Sequence, residues 1–390
     1  MALARRIFCA SVPLCLCASP LTAQSFPRGL TPPPPAARNA GVPQFLADAY
    51  WPRPLPNNWI LGQVSGVAVG PNDHVYIVHR PATITTREAG AAQDPPLSRC
   101  CVPAPPVVEF DQQGNVVRAW GQRESGAPYW PTSEHGITVD ASGSIWIASN
   151  GRNDQVVMKF SPEGRYLLTI GRQGQNGGSN DSLRLGQPTS VEVDLPANEV
   201  YIADGYQNRR VVVFDATTGA YKRHWGAYGR RPVDGDTAAP AVAGTATRWP
   251  VSYDTTQAPQ QFTTVHAVRI GNDGLVYVAD RINNRIQVFR KDGTFVREAF
   301  IARATRAMGS VWDLVLSRDR EQTWIYVVDG TNQTVWIVRR SDLSVAGSFG
   351  NGGRMAGDFG WVHNGALDSH GNFYTGEVDI YKRVQRFVPR

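Results

Sequence analysis

The 390-residue chain is 42% hydrophobic and only 18% charged, which excludes a disordered polymer and supplies apolar surface for at least one sizeable core. Its 38 glycines and 28 prolines lack the collagen period and mark many turns, which favours a β-rich chain over a helical bundle. The formal charge of +6 comes with 35 arginines, 4 lysines and no basic run, and falls to +4 without residues 1–23, which carry Arg5 and Arg6; a nucleic-acid partner is not expected.

In chain order, Arg5 and Arg6 precede an apolar stretch from Ile7 to Ala18 and small residues up to Ala23. This reads as an export signal over residues 1–23, cleaved after Ala23, by the general or the twin-arginine route. The apolar run is short for a membrane span, and nothing later reaches about 18 consecutive apolar residues. The mature protein is therefore expected in the periplasm or secreted, without membrane insertion. Cys9, Cys15 and Cys17 leave with the signal, so Cys100 and Cys101 remain, either free or joined as a vicinal disulfide in a surface loop. Nine of the prolines fall between Pro27 and Pro56, so residues 24–56 read as an extended linker and residues 57–390 as the folded unit.

Within that unit a pattern of short strands recurs. Its fullest copy runs His266–Ile270, a turn at Asn272-Asp273-Gly274, Val276–Asp280, Arg285–Phe289, a turn at Lys291-Asp292-Gly293, and Phe295–Arg297. Four antiparallel strands in about 40 residues have the size of one propeller blade. Six copies align, with first strands beginning at Ser65, His135, Thr189, His266, Trp312 and His363 and second strands ending at His79, Ser149, Asp204, Asp280, Asp329 and Glu377. The sixth copy has only three strands before Arg390, so its fourth is expected from residues near Trp59-Ile60-Leu61, closing the ring. The fold class expected is all-β, a six-bladed β-propeller.

First strands of propeller blades line the central channel, so the six aligned starting residues form a ring. Three of the seven histidines, His135, His266 and His363, sit in one register in blades two, four and six. Three neutral imidazoles converging on an axis suit Zn²⁺ or a similar ion with one position left open; hydrogen-bonded channel histidines are the plainer alternative. His74 and His370 lie in hairpin turns and His224 on an outer strand, which suggests structural roles. Arg80 and Arg281 share a register just after the second strands of blades one and four, and Tyr206 takes the neighbouring position in blade three. Arginine offers a fork for a carboxylate and tyrosine a base beside a metal, although pairing with Asp204 or Asp280 would also account for the arginines.

From about Gly62 onward these residues resemble the peptidyl-α-hydroxyglycine α-amidating lyase family, zinc-dependent six-bladed propellers of the NHL-repeat type. The likeness rests on Gly62–Ala68, His79-Arg80, His135-Gly136-Ile137, Gln187-Pro188-Thr189, Asp204–Arg209, Val265-His266, Ala279–Gln287 and His363. It implies that His135, His266 and His363 bind zinc, Tyr206 acts as the base, and Arg80 and Arg281 line the substrate site. The implied reaction cleaves the C–N bond of an N-acyl α-hydroxyglycine, a small molecule or peptide with a terminal carboxylate, to an amide and glyoxylate. The family's structural calcium uses two carbonyls at positions resembling Val67 and Ile137 and a carboxylate where this chain has Asn364. Cysteines of the family's disulfides are replaced by Gln207, Tyr277 and Val288. A metal-dependent hydrolase on the same three histidines, or a non-catalytic NHL-type binding propeller, are the competing readings.

Overall fold

The structure, a computed structural model, describes residues 41–235, 257–306 and 308–390. The expected export signal at 1–23, residues 24–40 of the expected linker and the centre of the 229–263 loop lie outside these residues. Among the described residues no helix is long and apolar enough to cross a membrane, and the helical elements are single 3₁₀ turns.

Six four-stranded antiparallel sheets form the blades, each followed from its first, innermost strand outward. The innermost strands are Gln63–Val69, Glu134–Val139, Pro188–Asp194, Val265–Ile270, Asp313–Leu316 and Val362–Leu367. Strand text explains the stacking. In blade four the second strand, Val276–Asp280, is buried along its whole length, as expected for a sheet covered on both faces. Val276 and Val278 face the cluster shared with blade three, while Tyr277 and Ala279 face the cluster shared with blade five. A period of two thus sends alternate side chains to two different neighbours, and each sheet is held by both.

The closing strand differs from the sequence expectation. Blade six is completed by Phe45–Asp48, which pairs antiparallel with Val384–Pro389, from Phe45 opposite Pro389 to Asp48 opposite Arg386. Trp59–Ile60 instead makes a short parallel pair with Val102–Pro103. The physical reason lies in the alternation of Phe45-Leu46-Ala47. Phe45 packs on Phe349 with ring centroids 4.6 Å apart, Ala47 joins the same cluster, and Leu46 is 50% exposed. As an outermost strand it tolerates the surrounding prolines. Nor do residues 41–56 behave as a linker, because Trp51 is buried against Phe110 and Tyr374; the blades begin at residue 45, not 57. Cys100 and Cys101 are joined as a vicinal disulfide in the loop that follows Arg80.

His79, at the top of blade one, anchors that loop. Its Nδ1 accepts from the Gly62 amide at 3.1 Å, and its Nε2 donates to the Pro105 carbonyl at 3.0 Å. Only the neutral ring can do both, and burial pushes its pKa down to about 4. Between pH 4 and 6.5 the unfolded chain therefore binds a proton that the native chain does not, so stability falls as pH falls through that window. The expected slope from this group is about 1.4 kcal/mol per pH unit. Urea unfolding of wild type and His79→Gln between pH 4.5 and 7 should differ in slope by that amount; parallel curves would remove His79 as the cause.

Candidate metal centre and active site

The histidine ring is built by a recurring irregularity. In blades one, two, three, four and six the pairing of first and second strands slips by one residue, and the skipped residues are Ser65, His135, Thr189, His266 and His363. A bulge turns its extra residue out of the ladder, here toward the axis. Each histidine Nδ1 then donates to the carbonyl of the ring residue in the next blade: His135 to Thr189 at 2.8 Å, His266 to Trp312 at 2.6 Å and His363 to Ser65 at 2.8 Å. The close approach demands glycine after His135, since a Cβ at Gly136 would collide with the Thr189 carbonyl oxygen.

A carbonyl only accepts, so each Nδ1 holds the proton and each Nε2 presents a lone pair. The three rings lie 4.6–5.1 Å apart by centroid, and their ligating atoms all fall within 4.8 Å of one another. Burial keeps them neutral: it pushes His363 down to about 3 and holds His135 and His266 well below the usual histidine range, with the neighbouring histidines and arginines adding to the effect. Buried, neutral, converging nitrogens with their outer nitrogens already tied fit a zinc-like ion.

Tyr206 closes one side of this cluster. Its hydroxyl lies 3.2 Å from His135 Nε2 and 3.4 Å from His266 Nε2. Its position follows from Gly205, where any Cβ would run into the backbone of Val265. Arg281 donates from Nη1 to the Tyr206 oxygen at 3.2 Å.

The two arginines are not equivalent. Arg80 is satisfied, donating to the Glu134 carbonyl at 2.7 Å and to Gln63 Oε1 at 2.9 Å, with a long contact to Asn150 at 3.5 Å. Arg281 has no exposed surface, and its Nε and Nη2 have no hydrogen-bond partner. Its guanidinium lies 4.6 Å over the Trp312 ring and 5.4 Å from the Tyr206 ring. The two carboxylates considered as its partners are taken: Asp280 pairs with Arg285 at 2.8 Å and Asp204 with Arg210 at 2.9 Å. Pairing with Asp204 or Asp280 therefore does not account for Arg80 or Arg281. A buried cation with two idle donors is costly by itself and calls for an anion.

The residues for calcium do not fit that ion. Asn364 turns its amide nitrogen to the Val67 carbonyl at 3.5 Å. Asn364, Ile137 and the Arg269 guanidinium line one cavity of ≈ 20 Å³ beneath the histidines, room for a single water. Asn364 Oδ1 has no partner and an amide oxygen can ligate calcium, but the lining offers no free carboxylate to balance the ion's charge. The one carboxylate lining the cavity, Asp313, is held by Arg269 at 2.7 Å. The other histidines serve the scaffold: His74 bonds Glu109 at 2.8 Å, His224 bonds Tyr221, and His370 lies 3.9 Å from Asp73.

Sequence reasoning missed Trp312 as a functional side chain. It was read only as a ring position, yet it carries Arg281 on its face and edges His266 and His363 at 5.8 and 5.7 Å. Its place opposite the histidine pattern in the ring was the available signal. Gln63, which orients Arg80, stood only within the Gly62–Ala68 segment of the family likeness, with no role attached.

The NHL repeat family matches residues 262–289. Peptidyl-glycine alpha-amidating monooxygenase B of Xenopus laevis is 28% identical over 265 residues, 64% of this chain and 25% of that protein. Peptidyl-alpha-hydroxyglycine alpha-amidating lyase 2 of Drosophila melanogaster is 31% identical over 185 residues, 45% of this chain and 41% of its own length. NHL repeat-containing protein 3 of Mus musculus is 24% identical over 366 residues, 89% of this chain and 85% of that protein. The matched part of the chain thus spans about a quarter of the length of the amidating monooxygenases.

Proposed function

From the premise that this chain is an NHL-repeat propeller related to the peptidyl-α-hydroxyglycine α-amidating lyases, we propose that it is a zinc-dependent lyase. Its substrate is an N-acyl α-hydroxyglycine, and its products are the primary amide and glyoxylate. One observation carries the reading: Arg281, fully buried with two idle donors, bonds the Tyr206 hydroxyl that lies against the histidine Nε2 atoms. A hydroxy acid is the ligand that satisfies an anion site and a proton acceptor so close together.

His135, His266 and His363 would hold the ion, which when bound supplies Lewis acidity toward the substrate hydroxyl. Arg281 binds the carboxylate through Nε and Nη2, a two-point contact that fixes its plane. Its Nη1 keeps the Tyr206 oxygen facing the carbinol, and Tyr206 accepts the hydroxyl proton. The carbinol C–O bond becomes the aldehyde carbonyl as the C–N bond breaks, and the nitrogen takes up a proton. One proton leaves the hydroxyl and one arrives at nitrogen, so the reaction needs neither water nor oxidant. Arg80, held by Gln63 and the Glu134 carbonyl, faces the departing amide. With the export signal expected at residues 1–23, the activity is proposed to be periplasmic or secreted.

The test is glyoxylate release from N-benzoyl-α-hydroxyglycine by the purified protein. Glyoxylate and benzamide are expected in equal amounts, lost on chelation and restored by zinc. Protein carrying one zinc per chain that releases neither product would sink the proposal.

A further inference from the structure

The site's polarity decides where the rest of the substrate goes. The two idle donors belong to Arg281 in blade four, whereas Arg80, across the axis in blade one, has its strong donors engaged. A carboxylate anchored at blade four sends the acyl group on the other side of the hydroxylated carbon toward blades six and one. On that side, on the face that carries Arg80 and Tyr206, lies a cleft of ≈ 670 Å³ lined by Gln63, Trp361, Asp379, Ile380 and Tyr381, within the range of small-molecule sites.

The cleft is joined to the centre by contacts. Gln63 Oε1 is the acceptor for Arg80 Nη1 at 2.9 Å. Trp361 packs on Trp312 at 5.7 Å, and Trp312 packs on His363 at 5.7 Å. Trp361 is held at φ +57°, a conformation that costs a bulky residue free energy and recurs at functional sites. At Gly360, any Cβ would collide with the Tyr381 ring, so glycine there lets that ring pack on the backbone next to Trp361, with the Arg383 guanidinium 5.3 Å from it. Ile380 is 73% exposed at the mouth. Lys382 is engaged by Glu88 at 2.7 Å, and Asp379 adds a carboxylate to the wall whose charge Arg80 partly offsets.

We propose that this cleft is the acyl subsite and that it selects substrates with an apolar, preferably aromatic, acyl group while disfavouring acidic ones. The assignment rests on the lyase reading for the position of the carboxylate. The Trp361 indole gives an aromatic acyl group both burial and ring contact, and the Asp379 and Glu88 carboxylates in the wall disfavour an acid. Discrimination by such pockets is modest, about tenfold to two-hundredfold for small apolar differences.

The measurement compares kcat/KM of the zinc-loaded protein for N-benzoyl-, N-acetyl- and N-oxalyl-α-hydroxyglycine. The benzoyl compound is expected to exceed the acetyl by at least about tenfold, with the oxalyl compound lowest. In Trp361→Ala, and in Ile380→Asp at a position too exposed to threaten folding, the benzoyl-to-acetyl ratio should fall to within about threefold of one. Equal values in the wild type, or a preference that survives both substitutions, would overturn the subsite and leave the lyase reading standing. If no substrate yields glyoxylate, the lyase reading falls, and calorimetry with N-benzoylglycine and N-acetylglycine decides the cleft separately. Tighter binding of the benzoyl compound that is lost in Ile380→Asp supports it; equal affinity or no binding overturns it.

Discussion

Substituting alanine for His266 is expected to abolish turnover of N-acyl α-hydroxyglycines, by at least about a thousandfold in kcat/KM, because a metal contributes several kcal/mol of charge stabilisation. Bound zinc should fall in parallel, since two imidazoles from blades two and six cannot complete the set. The propeller should persist. His266 is the extra residue of a bulge and takes no place in the strand ladder, and the group left behind is the Trp312 carbonyl, a loss of about 1–3 kcal/mol. Zinc per chain by elemental analysis, the β signature by circular dichroism and the rate together make the measurement. Full activity, or zinc retained at one per chain, would refute the ligand assignment.

Replacing Arg281 with methionine should separate activity from stability. In the wild type the guanidinium is fully buried, and Nε and Nη2 find no partner, so an apolar chain of similar length removes an uncompensated charge. The variant is expected to melt at or above the wild-type temperature. Its kcat/KM should drop by about a hundredfold to a thousandfold, the usual consequence of deleting one side of a buried charge-assisted pair. KM should rise with the lost carboxylate contact, and kcat should fall because Tyr206 loses the donor that orients it at 3.2 Å. Arg281→Lys should recover little, since one ammonium cannot reproduce the fork. Activity and melting temperature falling together would mark Arg281 as part of the scaffold.

The sequence reveals the repeat, and with it more of the site than any single short motif carries. Once His135, His266 and His363 share a register on first strands, closure of the ring brings them together, although His363 bonds the carbonyl of Ser65, 298 residues away. Arg80 and Arg281 follow from the same register, one step past the second strands, and Tyr206 from the step after that. This much is local information, because strand alternation and repeat spacing are properties of short segments.

What those segments could not carry is the choice among partners. The closing strand was lost among prolines because the residues that select Phe45–Asp48, namely Phe349 of blade five and Phe373 and Arg386 of blade six, lie some 300 residues or more further along the chain. The slips that aim the histidines depend on pairing between strands. Arg80 and Arg281 look alike in register, yet packing satisfies one through Gln63 and Glu134 and leaves the other idle on Trp312. Sequence alone determined the fold class and the ring of candidate ligands, since both arise from periodicity. Only the tertiary structure decided which cation is unpaired and where the cleft lies, because hydrogen-bond satisfaction is a property of the assembled environment and not of the residue.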